Sequence, residues 1–267
     1  MASGEVDTWA VGRVREMGIG GERYRLIGTV TETLGGSYRL LRADARQIST
    51  PAREVCLTRL EAAPEAIAKT AELKVEARLH ERVAGLPRLL AREERGGVFS
   101  FVTAMPAGAA LPAVHGRPPY PIKVLNALVR SIPQLGRTLE SLHVSGRAHR
   151  ALRPEVLIAS RDRLWLRDAG LAATPPVAGE GVREYRAPEQ ERPLLSQPGP
   201  PADVYQLAAI VYHLATGEPA GSDPLRPTLL RPEFVPALEE PVLAALASDP
   251  RRRPSLREFL ASLEAPF

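Results

Sequence analysis

The segment His149-Arg-Ala-Leu-Arg-Pro-Glu-Val-Leu-Ile158 opens a series of five motifs in the second half of the chain. Asp168-Ala-Gly170 follows it, and Tyr185-Arg-Ala-Pro-Glu189 comes next. The motif at residues 203–217 follows and is apolar nearly all round from Val204 to Leu214, and the turn-forming segment Asp249-Pro-Arg-Arg-Arg-Pro-Ser255 closes the series. A stretch that is apolar on all sides predicts a helix buried at the centre of a domain.

The chain ahead of these motifs alternates short β-prone runs with turns, which is typical of antiparallel strands. Such runs lie at residues 24–28, 37–41, 54–58 and 98–102. Residues 64–84 lack glycine and predict one amphipathic helix that begins at Pro64. After about residue 121 the apolar spacing becomes helical, as in residues 128–142 and 256–263. A small β-rich part followed by a larger helical part predicts two lobes with a ligand cleft between them.

The five motifs, in this order, resemble those of eukaryotic-type Ser/Thr protein kinases, and the resemblance extends over residues 24–267. It implies an α+β, bilobal protein-kinase-like fold with a small β-rich N-lobe and a larger helical C-lobe. The expected division is an N-terminal extension at 1–21, the N-lobe at 22–104, and the hinge with the C-lobe at 105–267.

Three positions that the family uses for chemistry carry other residues here. The catalytic-loop aspartate, which accepts the substrate proton, falls at Ala151, whose methyl group cannot accept one. The asparagine that holds a second magnesium falls at Val156, and a hydrocarbon cannot bind a hard cation. The strand lysine falls at Thr58, in the segment Val55-Cys-Leu-Thr58.

The glutamate that pairs with this lysine in the family corresponds to Glu76, which is thereby left without its usual cation. The lysines of the chain are Lys69, Lys74 and Lys123, so no lysine lies on the early strands. An arginine such as Arg39 remains an alternative partner, as does solvation of the carboxylate.

The glycine-rich phosphate loop of the family is also altered. Its three glycines fall at Thr31, Thr33 and Gly36, and β-branched threonines obstruct the approach of phosphates to backbone N–H groups. A second register, which uses Gly18-Ile-Gly20, is open but requires an insertion before Thr58.

The motif Asp168-Ala169-Gly170 keeps its aspartate, the one potential metal ligand of the site. A lone carboxylate is a poor magnesium site, so Asp168 is expected to accept hydrogen bonds from nearby backbone. We therefore expect no metal, no other cofactor, and weak or absent binding of ATP with magnesium.

The residues that the family uses to hold its fold together are kept. His149 and Arg150 remain in the loop, and the resemblance implies that Asp203 braces the backbone of this loop. It also implies that Glu189 and Arg253 form a buried ion pair. Thr174, which lies between Asp168 and Glu189, is a candidate phosphorylation site that would then pair with Arg150, although a plain loop is the simpler reading.

Composition excludes several other classes of protein. The net charge is +4, from 35 basic and 31 acidic residues, and this mild excess does not favour nucleic-acid binding. One cysteine excludes a disulfide framework, and no apolar stretch is long enough to span a membrane. A cytoplasmic location is expected.

These losses predict a pseudokinase, not an enzyme, that acts as a protein-binding, scaffolding or regulatory module. The expected partner is a protein, either a true kinase or a signalling or adaptor domain. Two alternatives stay open: a nucleotide-dependent transferase with altered chemistry, and an allosteric activator of a true kinase that works through the helix around Glu76.

Overall fold

The structure is a computed structural model that describes residues 16–49, 51–161, 163–191 and 197–267, with the backbone alone at positions 28 and 29. The chain divides into two compact units. The sheet unit contains the described residues up to Ala77 together with Arg88–Met105, and the helical unit contains Arg78–Pro87 and Pro106–Phe267. The division by sequence placed residues 78–87 in the N-lobe, whereas the structure groups them with the helical unit.

The described part of the sheet unit forms one antiparallel sheet of six strands, in the order β1-β2-β3-β4-β6-β5. The strands are β1 Glu16–Ile19, β2 Glu22–Gly35, β3 Tyr38–Gln47, β4 Glu54–Ala62, β5 Leu89–Arg95 and β6 Val98–Ala104. The four strands predicted from the sequence are confirmed, and each extends beyond its predicted residues. The sequence missed β1 and β5.

The predicted N-terminal extension at residues 1–21 is wrong at its end, because Glu16–Ile19 form strand β1 and pair with β2. Met17 and Ile19 alternate along this strand and are both buried. Their contribution to the core explains why this glycine-rich segment is a strand. Residues 1–15 lie outside the described residues.

The sheet has an apolar cluster on each face, because successive side chains along a strand point to opposite sides. One cluster contains Leu41, Leu57 and Val102. The other contains Leu40 and Leu60 and packs against helix α1, which spans Ile67–Arg82. The predicted helix is thus confirmed, with its first residue three positions after Pro64.

The helical unit combines helices with a small sheet in its described residues. The helices are α2 Leu111–His115, α3 Ile122–Val144, α4 Pro188–Glu191, α5 Pro200–Thr216, α6 Pro227–Leu230, α7 Pro236–Ala245 and α8 Leu256–Glu264. The strands β7 Ala109–Ala110, β8 Leu157–Ser160 and β9 Arg163–Leu166 pair in chain order. Single 3₁₀ turns occur at Pro154–Val156, Arg183–Tyr185 and Pro250–Arg252.

Helix α5 is buried on nearly all sides, as its apolar sequence predicted. Two prolines in its first turn favour its start, and Gly217 ends it with φ +81°, a conformation that glycine adopts without strain. Helix α8 begins with a capping box, in which Ser255 and Glu258 bind each other's backbone N–H groups. In the described residues, no helix has the length and apolar character needed to cross a membrane.

Candidate functional site

The position of the missing strand lysine, Thr58, is buried in β4 directly opposite Arg42 in β3. The Arg42 guanidinium donates to both carboxylate oxygens of Glu76 on helix α1, each at 2.7 Å, and to Thr58 Oγ1 at 3.3 Å. Glu76 is therefore not left without a cation, and the alternative of an arginine partner is confirmed, with Arg42 in place of Arg39. The cation comes from the neighbouring strand, because antiparallel partners lie side by side with their side chains on the same face.

Arg39, the alternative partner suggested by the sequence, binds other carboxylates. Its guanidinium is hydrogen-bonded to Glu32 and lies 3.8 Å from Glu61. Arg39 and Arg42 are three residues apart on one strand, so their side chains leave opposite faces of the sheet. Only the face of Arg42 is directed toward helix α1.

The region of the phosphate loop is a regular hairpin, with its turn at Gly36 and Ser37. Thr31 and Thr33 lie within strand β2, and Thr31 pairs with Arg42. The second register is disfavoured because Gly18 lies in the edge strand β1. The threonines are thus part of a pleated strand and not of an open glycine loop.

The catalytic-loop segment is held by one buried carboxylate in the helical unit. Asp203 accepts hydrogen bonds from the backbone N–H of His149 at 2.9 Å and of Arg150 at 2.7 Å. His143 Nε2 lies 2.8 Å from the same carboxylate. Arg150 has φ +57°, which costs energy for a non-glycine residue, and these bonds stabilise that conformation. The bracing role expected of Asp203 is present in the geometry.

The two chemical positions of this loop contain only hydrocarbon side chains, and both are buried. Ala151 offers its backbone N–H to His149 Nδ1 at 3.3 Å. Val156 ends a 3₁₀ turn and is almost inaccessible, as is Ala169 beside Asp168. Neither position can accept a proton or bind a cation.

Asp168 is occupied by local contacts. Its Oδ1 accepts the N–H of Gly170 at 2.8 Å and lies 3.5 Å from His149 Nε2. Gly170 is required here, because its φ is +57° and a Cβ would lie 2.5 Å from the His149 ring. The expected hydrogen bond from Asp168 to local backbone is confirmed. With Val156 in place of an oxygen ligand, the residues present do not fit a magnesium–ATP site.

The segment after Asp168 is tied to the loop through Arg150. The Arg150 guanidinium contacts both carboxylate oxygens of Glu180 at 3.2 and 3.1 Å. It also donates to the carbonyls of Leu171 and Thr174, the latter at 2.5 Å. Burial lowers the pKa of Arg150, and Glu180 together with Asp203 opposes that shift. The Thr174 hydroxyl donates to Leu171 at 3.0 Å, as in a plain loop.

The expected pair between Glu189 and Arg253 is present. Two bonds of 2.7 Å join the guanidinium to both carboxylate oxygens, and the side chains are 3% and 0% exposed. Arg253 also donates to the carbonyls of Ala247 and Pro201 at 2.8 and 2.9 Å, and lies over the Tyr205 ring. The pair thus links the end of the segment after Asp168 to helix α5 and to the residues that follow helix α7.

Tyr185, in the same motif as Glu189, has a structural contact with helix α5. Its hydroxyl lies 2.7 Å from His213 Nδ1. Burial raises the pKa of Tyr185 and lowers the pKa of His213. Both side chains are therefore neutral at pH 7, and the contact is a hydrogen bond between two uncharged groups.

Comparison with known proteins agrees with the resemblance to protein kinases that the motifs indicate. No family profile matches the chain. The serine/threonine-protein kinase pkn3 of Myxococcus xanthus is 32% identical over 171 aligned residues, covering 52% of this chain and 31% of that protein. PknB of Mycolicibacterium smegmatis is 28% identical over 141 residues, covering 44% and 22%. The chain is similar to these bacterial serine/threonine-protein kinases over about half of its length.

The fold of the chain agrees with that of a solved kinase domain. The crystal structure of the Mycobacterium tuberculosis PknI kinase domain aligns with a TM-score of 0.63, covering 95% of this chain and 99% of that one. At 21% sequence identity this likeness shows the fold alone. The chain spans less than a third of the curated relatives' length, at 31% and 22% for the two named above.

Two residues that form ion pairs in this chain, Arg42 and Glu180, were not identified from the sequence alone. Arg42 could have been found from the alternation of side chains along a strand. It lies two residues after the core residue Leu40 and therefore on the same face of the sheet. Glu180 gave no such signal, since it lies in an irregular segment without periodicity.

Proposed function

We propose that this chain is a pseudokinase whose kinase fold serves as a protein-binding, scaffolding or regulatory module. One observation carries the proposal: the catalytic-loop backbone is fully braced by Asp203, yet the chemical positions of that loop are Ala151 and Val156. Selection for catalysis would keep the acid–base group that the bracing serves. Selection for a stable shape keeps the bracing alone.

Two alternatives make different demands on the same residues. A nucleotide-dependent transferase would need polar ligands near Asp168, whereas its neighbour Ala169 and the loop residue Val156 are buried hydrocarbons. An allosteric activator would present helix α1 around Glu76 to a true kinase, and it would co-purify with that kinase. A cytoplasmic location stays a prediction under each function.

The first test measures nucleotide binding. Addition of millimolar ATP with magnesium should leave the melting temperature within about 1 °C of the value with magnesium chloride alone. Bound ligand at 100 times its Kd would add about 2.7 kcal/mol to the free energy of unfolding. For a domain of this size that corresponds to roughly 5–11 °C. A rise of several degrees would contradict the absence of a nucleotide site and favour the transferase alternative.

The second test asks whether one residue restores catalysis. The variant Ala151→Asp should transfer no phosphate from ATP to a generic protein substrate, because Thr58 and Val156 still lack the groups that position ATP and metal. Radiolabel incorporation is compared with the parent and with Ala151→Asn, an isosteric control that accepts no proton. Transfer by the aspartate variant alone would show that the remaining site is competent and would overturn the proposal.

The partner is sought with the purified chain as bait in a lysate of its native host. Half of the lysate is treated with apyrase to remove nucleotides. A scaffold should retain the same partner in both halves, since its surface does not depend on ATP. A partner captured only with nucleotide present would favour the transferase, and recovery of a true kinase would favour the activator.

A further inference from the structure

We propose that Arg42 is the residue that fixes helix α1 to the sheet, and that the cation which normally comes from position 58 has moved to the neighbouring strand. This inference goes beyond the proposed function and does not depend on whether the chain catalyses a reaction. It concerns the sheet unit alone.

The first support is the geometry of the pair. Arg42 Nη1 donates to Glu76 Oε1 and Arg42 Nη2 donates to Glu76 Oε2, each at 2.7 Å. This two-bonded arrangement is the strongest form of an ion pair between side chains and fixes the relative orientation of the two groups. A lysine at position 58 would supply a point charge, whereas the guanidinium clamps the carboxylate.

The second support is the environment of the carboxylate. The Glu76 side chain is 5% exposed, so its charge requires a partner, and the Arg42 side chain is 40% exposed. Leu73 and Ala77, on either side of Glu76 in helix α1, pack against Leu40 of the sheet. The ion pair therefore lies beside the apolar contact between helix α1 and the sheet, and it adds a polar attachment between them.

The third support is the small residue opposite the arginine. Thr58 lies directly across from Arg42 and accepts a hydrogen bond from its guanidinium at 3.3 Å. A long side chain at position 58 would compete for the same carboxylate. Threonine and arginine at these two positions thus form a matched combination.

The nearby lysines bind elsewhere. Lys74 contacts Glu94 at 2.7 Å, and Lys69 contacts Glu72 at 2.8 Å. Within the part of the chain that the structure describes, Arg42 is therefore the cation that makes two hydrogen bonds to Glu76.

Hydrogen exchange of the whole chain, followed by mass spectrometry on peptides covering residues 70–77, tests the role of Arg42. Arg42→Ala should speed exchange there at least tenfold. Arg39→Ala, on the same strand but the opposite face, should change it less than twofold. Arg42→Lys, which keeps the charge but not the clamp, should lie between them and serves if the alanine variant folds poorly. Equal exchange in the Arg42 and Arg39 variants would overturn the proposal.

A rescue variant separates a specific pair from general packing. Thr58→Lys added to Arg42→Ala should restore at least half of the lost protection, because the introduced ammonium begins on the opposite residue of the adjacent strand. Absence of any rescue would overturn the claim that positions 42 and 58 serve the same carboxylate. The parent should exchange equally with and without magnesium ATP. A difference there would count against the proposed function, while the result for Arg42→Ala still tests the clamp.

Discussion

Replacement of Arg253 by alanine should lower the free energy of unfolding by about 3–5 kcal/mol, because it leaves the Glu189 carboxylate charged and uncompensated in a buried place. The same change removes the donor to the carbonyls of Ala247 and Pro201. For a domain of this size the melting temperature should fall by roughly 6–20 °C. Thermal and urea unfolding of the variant beside the parent measure the effect.

Arg252→Ala is the matched control. Arg252 is the adjacent residue, has the same side chain, and is exposed. Surface substitutions away from special contacts usually change the free energy of unfolding by less than about 0.5 kcal/mol. Similar small shifts for both variants would mean that the Glu189–Arg253 pair does not stabilise the helical unit.

The contacts of Arg253 and Asp203 could be predicted because the information lies in motifs. Glu189 and Arg253 are 64 positions apart, and no local rule brings them together. The resemblance to the kinase family supplied the pairing, and burial of both partners in the structure agrees with it. The order of the motifs was therefore sufficient to predict these contacts within the helical unit.

The partner of Glu76 could not be predicted in the same way, because it depends on strand register. A shift of one residue moves every side chain of a strand to the other face. Arg39 and Arg42 lie on opposite faces, and the motif reading had no means of choosing between them. Arg42 lies two residues after Leu40, which packs against helix α1, so the two side chains lie on the same face of the strand. This alternation distinguishes Arg42 from Arg39 as the partner of Glu76.

Strand β1 was missed for a different reason. Gly18, Gly20 and Gly21 made the segment look like a polar extension, and glycine weakens strands. Met17 and Ile19 nevertheless bury their side chains in the sheet core. Two alternating apolar residues are too few to outweigh the glycines in a sequence-based prediction, although tertiary packing does so in the fold.

Replacement of Glu180 by alanine is expected to loosen the segment that follows Asp168. The Glu180 carboxylate contacts Arg150 with both side chains less than 5% exposed, and it also accepts from Gln190 Nε2 at 3.1 Å and from the N–H of Val177 at 3.2 Å. Its removal takes away the carboxylate that the buried Arg150 guanidinium contacts directly, at a cost of about 3–5 kcal/mol. Amide exchange in peptides covering residues 171–186 should accelerate, and limited proteolysis there should increase.

Glu184→Ala is the matched control, because Glu184 lies in the same segment and is exposed. It should leave both exchange and melting temperature close to those of the parent. If the Glu184 and Glu180 variants behave alike, the Arg150–Glu180 pair does not order the segment.

A double variant and a threonine variant show why Glu180 is the ordering group. Arg150→Met with Glu180→Ala removes both charges, so its loss of stability should be smaller than the sum of the single losses.

Thr174→Ala should leave exchange over residues 171–186 unchanged, because the guanidinium reaches the Thr174 backbone carbonyl at 2.5 Å and its hydroxyl only at 3.4 Å. A carboxylate already present beside Arg150 supplies the negative charge that a phosphate at Thr174 would otherwise bring. Additive losses in the double variant, or loosening by Thr174→Ala equal to that by Glu180→Ala, would contradict this account.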